Sequence, residues 1–278
     1  MGIFKKNNNN HLTNIIYANI IVFIIINIYY IICFLFQKDA NIIAYLGLSS
    51  DLNIFMSKPW TIVTYMFVHE DLFHLLINLC WLYFGGNIFT KYLRNKELVS
   101  TYIMGGIVGA LVYIISFNVF PVFEDVKMDS LAIGSSASVL AILFAVTTHI
   151  PNFPINIILI NRMKLKHIAI MAILIDILSI PNGNAGGHLA HLGGALYGFL
   201  YIYCKKRNIN TNYMVDKIIY SFKKKDPIFS YSRKENDYEY NSRKNEEQKK
   251  TNKILDKISK SGYNSLSKEE KEFLFNQN

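Results

Sequence analysis

Ser136, in Gly134-Ser135-Ser136-Ala137, and His191, in Ala190-His191-Leu192-Gly193-Gly194, are residue types that make a nucleophile and a base. A serine hydroxyl attacks a carbonyl when a base takes its proton. Neutral imidazole, near its unperturbed pKa, takes that proton and later returns it to a leaving amine. A third element, His69, His74 and Asn78, opens another apolar run. His74 and Asn78 are four apart, so on a helix they share a face. Their N–H groups, aimed into a dry site, suit a tetrahedral oxyanion, an effect worth roughly 3–4 kcal/mol per donor where measured. His69 reads as an edge residue bonding loops at a membrane surface. Each of the others also has a plainer reading alone: Ser136 and His191 as packing groups, Gly194 and Gly198 as a small-xxx-small face for helix approach. Their convergence at one depth favours chemistry, because polar side chains inside a membrane are costly and usually functional.

The elements that must position these residues are membrane spans. Of 278 residues, 51% are hydrophobic and 18% charged, with a mean hydropathy of +0.21. A soluble domain carries about 25% charged residues. Apolar runs predict spans over 14–36, 72–92, 100–120, 131–149, 166–181 and 188–204, the last two shorter than the roughly 20 residues a span usually needs. Basic residues test that set. Lys5 and Lys6; Lys91, Arg94 and Lys96; Arg162, Lys164 and Lys166; and Lys205, Lys206 and Arg207 fall on alternate connections. The opposite loops hold Lys38 and Lys58, then Lys127 among Glu124, Asp125 and Asp129, and none in 182–187. The positive-inside pattern therefore predicts an all-α membrane protein, a six-helix bundle with both termini cytoplasmic and the candidate residues near the outer face. The first run ends in Cys33-Phe34-Leu35-Phe36 without a small-residue cleavage site, so a retained span is expected rather than a signal peptide.

The net charge of +9 sits in short connections and in the tail, which fits cytoplasmic loops and a solvated tail rather than a nucleic-acid surface. Cys33, Cys80 and Cys204 have neither ligand spacing nor a disulfide framework. The expected organisation is a cytoplasmic N-terminus (1–13), the spans (14–204), a flexible charged linker (205–253) and a small helical motif (254–278). In that motif Ile254, Leu255 and Ile258 precede a turn at Gly262, and Ser267 with Glu270 has capping-box spacing before Phe273 and Leu274. His69-Glu70-Asp71-Leu72-Phe73-His74 has its histidines five apart, turned by roughly 140° on a helix, so a zinc-protease pair is not indicated. His188 and His191 share a face, but no carboxylate follows them at suitable depth. Neither metal nor cofactor is expected. A transporter would show paired charges or broken helices near the midplane. The clearest deep charge is Asp176, which either pairs with a histidine near the site or caps backbone groups. The short fifth span and the pliable loop 182–187 are expected to form a gate.

These residues also resemble a known family, the rhomboid intramembrane serine proteases. The resemblance covers roughly residues 14–204. It rests on His69, His74 and Asn78; Gly134-Ser135-Ser136; and Ala190, His191, Gly194 and Gly198, in that order. It implies a Ser–His dyad without a required third carboxylate, with Ser136 the nucleophile and His191 the general base. The oxyanion hole would map to His74, Asn78 and the Ser136 backbone N–H, with His69, Gly134, Gly194 and Gly198 in support. Its substrates would be single-span membrane proteins cut in or near their membrane segments. The tail around Ile254–Phe275 looks like one found after some bacterial rhomboids, so the bacterial inner membrane is the expected location. Three departures stand out: Trp60-Thr61 replaces a common Trp-Arg pair, Ala137 replaces a glycine, and Leu140 replaces an aromatic that stacks on the histidine. His191 would then be held another way, by Tyr197 or a neighbouring span. The alternative is a rhomboid-like pseudoprotease that binds membrane clients; such proteins usually lack the serine or histidine, and both are present.

Overall fold

The first helix, α1 (His11–Leu35), carries no Asp, Glu, Lys or Arg in its 25 residues, and Ile21, Ile24, Ile25, Ile28 and Phe34 face outward. A helix apolar all round needs apolar surroundings. The computed structural model describes residues 11–157, 160–221 and 237–275. After α1 the chain forms α2 (Ile42–Leu46), β1 (Leu48–Ser49), α3 (Leu52–Ser57), α4 (Thr61–Thr64) and a 3-10 turn at Tyr65–Phe67. Then come α5 (Leu72–Tyr92), α6 (Glu97–Val119), β2 (Leu131–Ala132) and α7 (Ser136–His149). A hairpin of β3 (Pro154–Ile157) and β4 (Ile160–Lys164) leads into α8 (Leu165–Ser179), α9 (Ala185–Lys205) and α10 (Tyr213–Ser221). Among the described residues, four helical segments, His11–Leu35, Leu72–Tyr92, Glu97–Val119 and Leu165–Asn182, are long and apolar enough to cross a membrane.

The centre is α6. Of its most apolar window 56% is buried, against 17% for α1 and for the α8 segment. Its glycines explain the position. A Cβ on Gly105 would lie 2.2 Å from the Ala141 Cβ, and one on Gly109 2.6 Å from the Ala137 Cβ, so α6 and α7 touch at the smallest side chains. From α9, a Cβ on Gly194 would lie 2.0 Å from the Ala137 carbonyl oxygen, and one on Gly198 2.2 Å from that of Ala141. In lipid there is no hydrophobic drive between helices, so close backbone packing of this kind supplies the attraction. Antiparallel α6 and α9 are also tied at one end by Glu97, which pairs with Lys205 and accepts from the Tyr201 hydroxyl at 2.7 Å.

The first loop is built against the start of α7. β1 pairs antiparallel with β2, Leu48 opposite Ala132 and Ser49 opposite Leu131. The Gly134 N–H donates to the Tyr65 carbonyl at 3.0 Å, and the Tyr65 hydroxyl to the Gly106 carbonyl at 2.7 Å. Trp60-Thr61 does not leave the loop unanchored. Trp60 Nε1 donates to the Tyr45 carbonyl at 2.9 Å, Thr64 Oγ1 to that of Leu46 at 2.7 Å, and Asp51 caps α3.

The structure corrects three boundaries. The fourth predicted span, 131–149, is helical only from Ser136, because Leu131–Ala132 pairs as a strand with the first loop. The proposed loop 182–187 shrinks to Gly183 and Asn184, because α9 already starts at Ala185, capped by the Asn184 side chain on the Gly187 N–H at 3.2 Å. The expected flexible linker 205–253 contains α10 and most of α11 (Asp237–Ser261). Asn212, fully buried, accepts from the Tyr197 hydroxyl and donates to Thr101 Oγ1 at 3.1 Å, which docks the start of α10 on α9 and α6.

Residues 223–278 form a separate unit. There α11 and α12 (Lys268–Phe275) are joined through a turn at Gly262, whose φ is +75°. The capping box forms: the Glu270 N–H donates to Ser267 Oγ at 3.2 Å and the Ser267 N–H to Glu270 Oε2 at 2.8 Å. Among its described residues, Ile254 and Leu266 are the buried apolar ones.

The glycine contacts generate a contrast. Gly198→Ala should lower stability in detergent by about 1–3 kcal/mol, because its Cβ meets backbone that cannot yield. Gly85→Ala should be neutral or stabilising by up to about 1 kcal/mol, since its Cβ would sit 3.5 Å from the Ile142 side chain and the helix gains propensity. Thermal or denaturant unfolding of the two variants checks this.

Candidate active site

Ser136 is the first residue of α7, and its Oγ lies 2.6 Å from His191 Nε2. The pair is brought together by the glycine seam, since Ala137 and Gly194, the contacting residues, stand one and three positions from the two reactive side chains. A helix's first N–H groups have no intrahelical partners and carry partial positive charge. In α7 the first intrahelical bond is from the Val139 N–H to the Ser135 carbonyl, at 2.9 Å, so the amides of Ser136, Ala137 and Ser138 precede it.

His74 and Asn78 line the same cavity as Ser136 and His191, a space of about 960 Å³. Both sit at the start of α5, which Asp71 caps by accepting from the His74 N–H at 2.8 Å. Asn78 Nδ2 donates to the His74 carbonyl at 3.0 Å, leaving its second N–H for other use. Gly134 makes room for His74. Its φ is +118°, and a Cβ there would lie 2.9 Å from His74 Nε2. Glycine is the residue that adopts such a backbone at little cost.

His69 is not an edge residue. It is 2% exposed, with Nε2 3.2 Å from Ser135 Oγ and Nδ1 3.3 Å from the Phe67 carbonyl, and its ring stands edge-on to His74 at 5.1 Å. Burial, then the neighbouring His74, push its imidazole down to about 4. It is therefore neutral near pH 7 and braces His74 and Ser135 from behind.

His191 is not held by Tyr197, whose hydroxyl is turned to Asn212. Its Nδ1 lies 2.8 Å from Asp176 Oδ1, and so does the Nδ1 of His188. Of the two roles read for Asp176 from the sequence, pairing with a histidine near the site or capping backbone groups, the structure shows the first, with the carboxylate supplied by α8. Asp176, His188 and His191 hold their potential ligand atoms within 4.8 Å of one another, the described residues that could accept a metal ion. The signal in the sequence was the deep charge at Asp176 together with the i,i+3 histidines; what joins them is tertiary. Leu140 lines the cavity, and the ring beside His191 is that of His188, at 5.9 Å and 87°.

Away from the polar end, the cavity runs between Ile77 and Trp81 of α5 and Ile168, Met171, Ala172 and Ile175 of α8. It is an apolar cleft ending on a polar cluster.

The model of the Rhomboid domain matches residues 56–208, more than half of the chain, and that of a family of unknown function (DUF6576) matches residues 234–276. Over 139 residues the chain is 29% identical to Presenilin-associated rhomboid-like protein A, mitochondrial, of Danio rerio, covering 49% of this chain and 35% of that protein. Over 174 residues it is 27% identical to Rhomboid-related protein 1 of Caenorhabditis elegans, covering 58% of this chain and 44% of that protein. The chain thus spans less than half the length of the curated relatives it matches.

Buried His69 makes stability depend on pH. Its pKa falls from the ordinary 6.5 to about 4 on folding, so between those values the unfolded chain binds a proton that the folded one does not. Stability is then lost as pH falls from 6.5 to 4, by an amount on the order of 3 kcal/mol. His69→Gln should flatten that part of the stability–pH curve, measured by unfolding in detergent across the window.

Proposed function

The chain belongs to the rhomboid family, and on that premise we propose that it is an intramembrane serine endopeptidase. It is an integral multi-pass membrane protein. Its substrates are membrane proteins with a single span, cut in or near that span. The observation that carries the reading is the 2.6 Å contact between Ser136 Oγ and His191 Nε2 at the start of α7, facing the apolar cleft.

Ser136 attacks the scissile carbonyl while His191 takes the hydroxyl proton. The Ser136 amide at the positive end of α7, His74 and the free N–H of Asn78 stabilise the oxyanion. His191 then returns the proton to the leaving amine, and water hydrolyses the acyl-enzyme with His191 again as base. A helical substrate hides its carbonyls in its own hydrogen bonds, so it must unwind locally, and small or helix-breaking residues near the cut ease this. It enters from the bilayer between α5 and α8.

Six helices, α1 and α5–α9, make the spans, with both termini on the cytoplasmic side as the basic connections suggest. The 14 residues of α7 reach only about 21 Å of a roughly 30 Å hydrocarbon core. Ser136 therefore sits below the outer surface, and the non-helical segment above it is tolerated because it is paired to the first loop. In a bacterial inner membrane this puts the reaction near the outer face. No cofactor, metal or nucleic acid takes part in this reading.

Purified wild type should cut a single-span reporter in liposomes, and the cutting should vanish in Ser136→Ala and His191→Ala and survive a metal chelator. His74→Ala and Asn78→Ala should each lower kcat by about 10²–10³-fold. Cutting that survives Ser136→Ala overturns the assignment. A cross-link between α5 and α8 should abolish cleavage of the reporter, and unchanged turnover would refute entry between them.

A further inference from the structure

The geometry points to Asp176 as the residue that orients His191, with His188 fixing Asp176 in turn, so that the proposed dyad is positioned by a carboxylate. This rests on the serine-hydrolase reading for its consequence, though the contact itself does not. Both imidazoles place Nδ1 at 2.8 Å from the same oxygen, Asp176 Oδ1. An ionised carboxylate only accepts hydrogen bonds, so each Nδ1 facing it carries the proton. For His191 that choice leaves the lone pair on Nε2, the nitrogen that stands 2.6 Å from Ser136 Oγ. The carboxylate therefore selects the tautomer in which His191 can act as a base, and it fixes the plane of the ring.

Asp176 is poorly placed for any role in its own helix. It lies three residues before the end of α8, where the helix dipole is negative and a carboxylate is disfavoured. It is 7% exposed, and the residues around it, 168–175 and 177–178, are all apolar. A buried carboxylate without donors is costly, and here the donors are the two imidazole N–H groups of α9. His188 and His191 are three apart and so project from one face of α9 toward α8. The double donation matters: with His191 alone, Asp176 would keep rotational freedom, whereas His188 holds the carboxylate from a second direction. The ionisable groups around His191 are Asp176 from α8, His188 on its own helix, His74 from α5, and Glu70, which lines the same cavity before α5; α7 presents the Ser136 hydroxyl.

The test compares wild type, Asp176→Asn, Asp176→Glu, His188→Gln and Ser136→Ala on a single-span reporter, with and without chelator. It is paired with ¹⁵N NMR of imidazole-labelled protein, which reads the tautomer of His191 without substrate. In wild type, His191 should show the Nδ1–H tautomer. Asp176→Asn should lower kcat by about 10²–10⁴-fold with KM unchanged and populate the other tautomer, by analogy with loss of the orienting carboxylate in a serine-protease triad. Asp176→Glu should recover part of the loss, and His188→Gln should cost less than Asp176→Asn. The proposal is overturned if wild-type His191 carries its proton on Nε2. It is equally overturned if Asp176→Asn keeps wild-type kcat, if its loss follows unfolding with no rescue by Asp176→Glu, or if a chelator abolishes wild-type turnover, which would make the cluster a metal site. Should Ser136→Ala still cut, the serine reading fails by itself, and the tautomer still decides the role of Asp176.

Discussion

The fold and the candidate chemistry both depend on how closely α9 can approach α7. Hydroxyl and imidazole meet only if two helix backbones come nearer than ordinary side chains allow, and Gly194 and Gly198 on α9 lie directly against the carbonyls of Ala137 and Ala141. Lipid gives apolar side chains no reason to prefer one another, so such contacts must also supply much of the packing. The same seam continues through Gly105 and Gly109 on α6. One device therefore holds three helices together and sets the distance between the two reactive side chains.

Around that seam, polar groups sit in apolar surroundings and are each given partners. His69 is satisfied by Ser135 and Phe67, Asp176 by two histidines, and Asn19 of α1 by the Ile15 carbonyl at 2.8 Å and Tyr102 at 3.2 Å. Tyr102 in turn donates to the Met66 carbonyl at 3.1 Å, within the 3-10 turn that leads to His69. An unpartnered polar group here would cost a few kcal/mol, which makes these networks specific about helix rotation as well as position. His69, at the end of this network, stands edge-on to His74 of α5.

Much of this was legible in the sequence. Residue type and spacing identify Ser136, His191, His74 and Asn78, and all four line one cavity. The capping box at Ser267 and Glu270 forms because it is a local interaction, readable over four residues. What was not legible is long-range. Leu131–Ala132 is apolar enough to pass for the start of a span, and hydropathy does not distinguish a helix from a strand paired with residues 48–49. Residues 237–253 are polar enough to read as linker, yet Lys, Glu and Gln are good helix formers. Asp176 and His188 were noticed separately, but only the packing of α8 on α9 shows that they share one hydrogen-bonded cluster.

The most direct test of the central claim is covalent labelling of the purified protein, in a bilayer, with a fluorophosphonate that reacts only with an activated serine. The site of the adduct is then mapped by mass spectrometry. Wild type should carry one adduct, on Ser136, and His191→Ala should carry none while remaining folded. An adduct on another residue, or equal labelling of Ser136 without His191, would contradict the account.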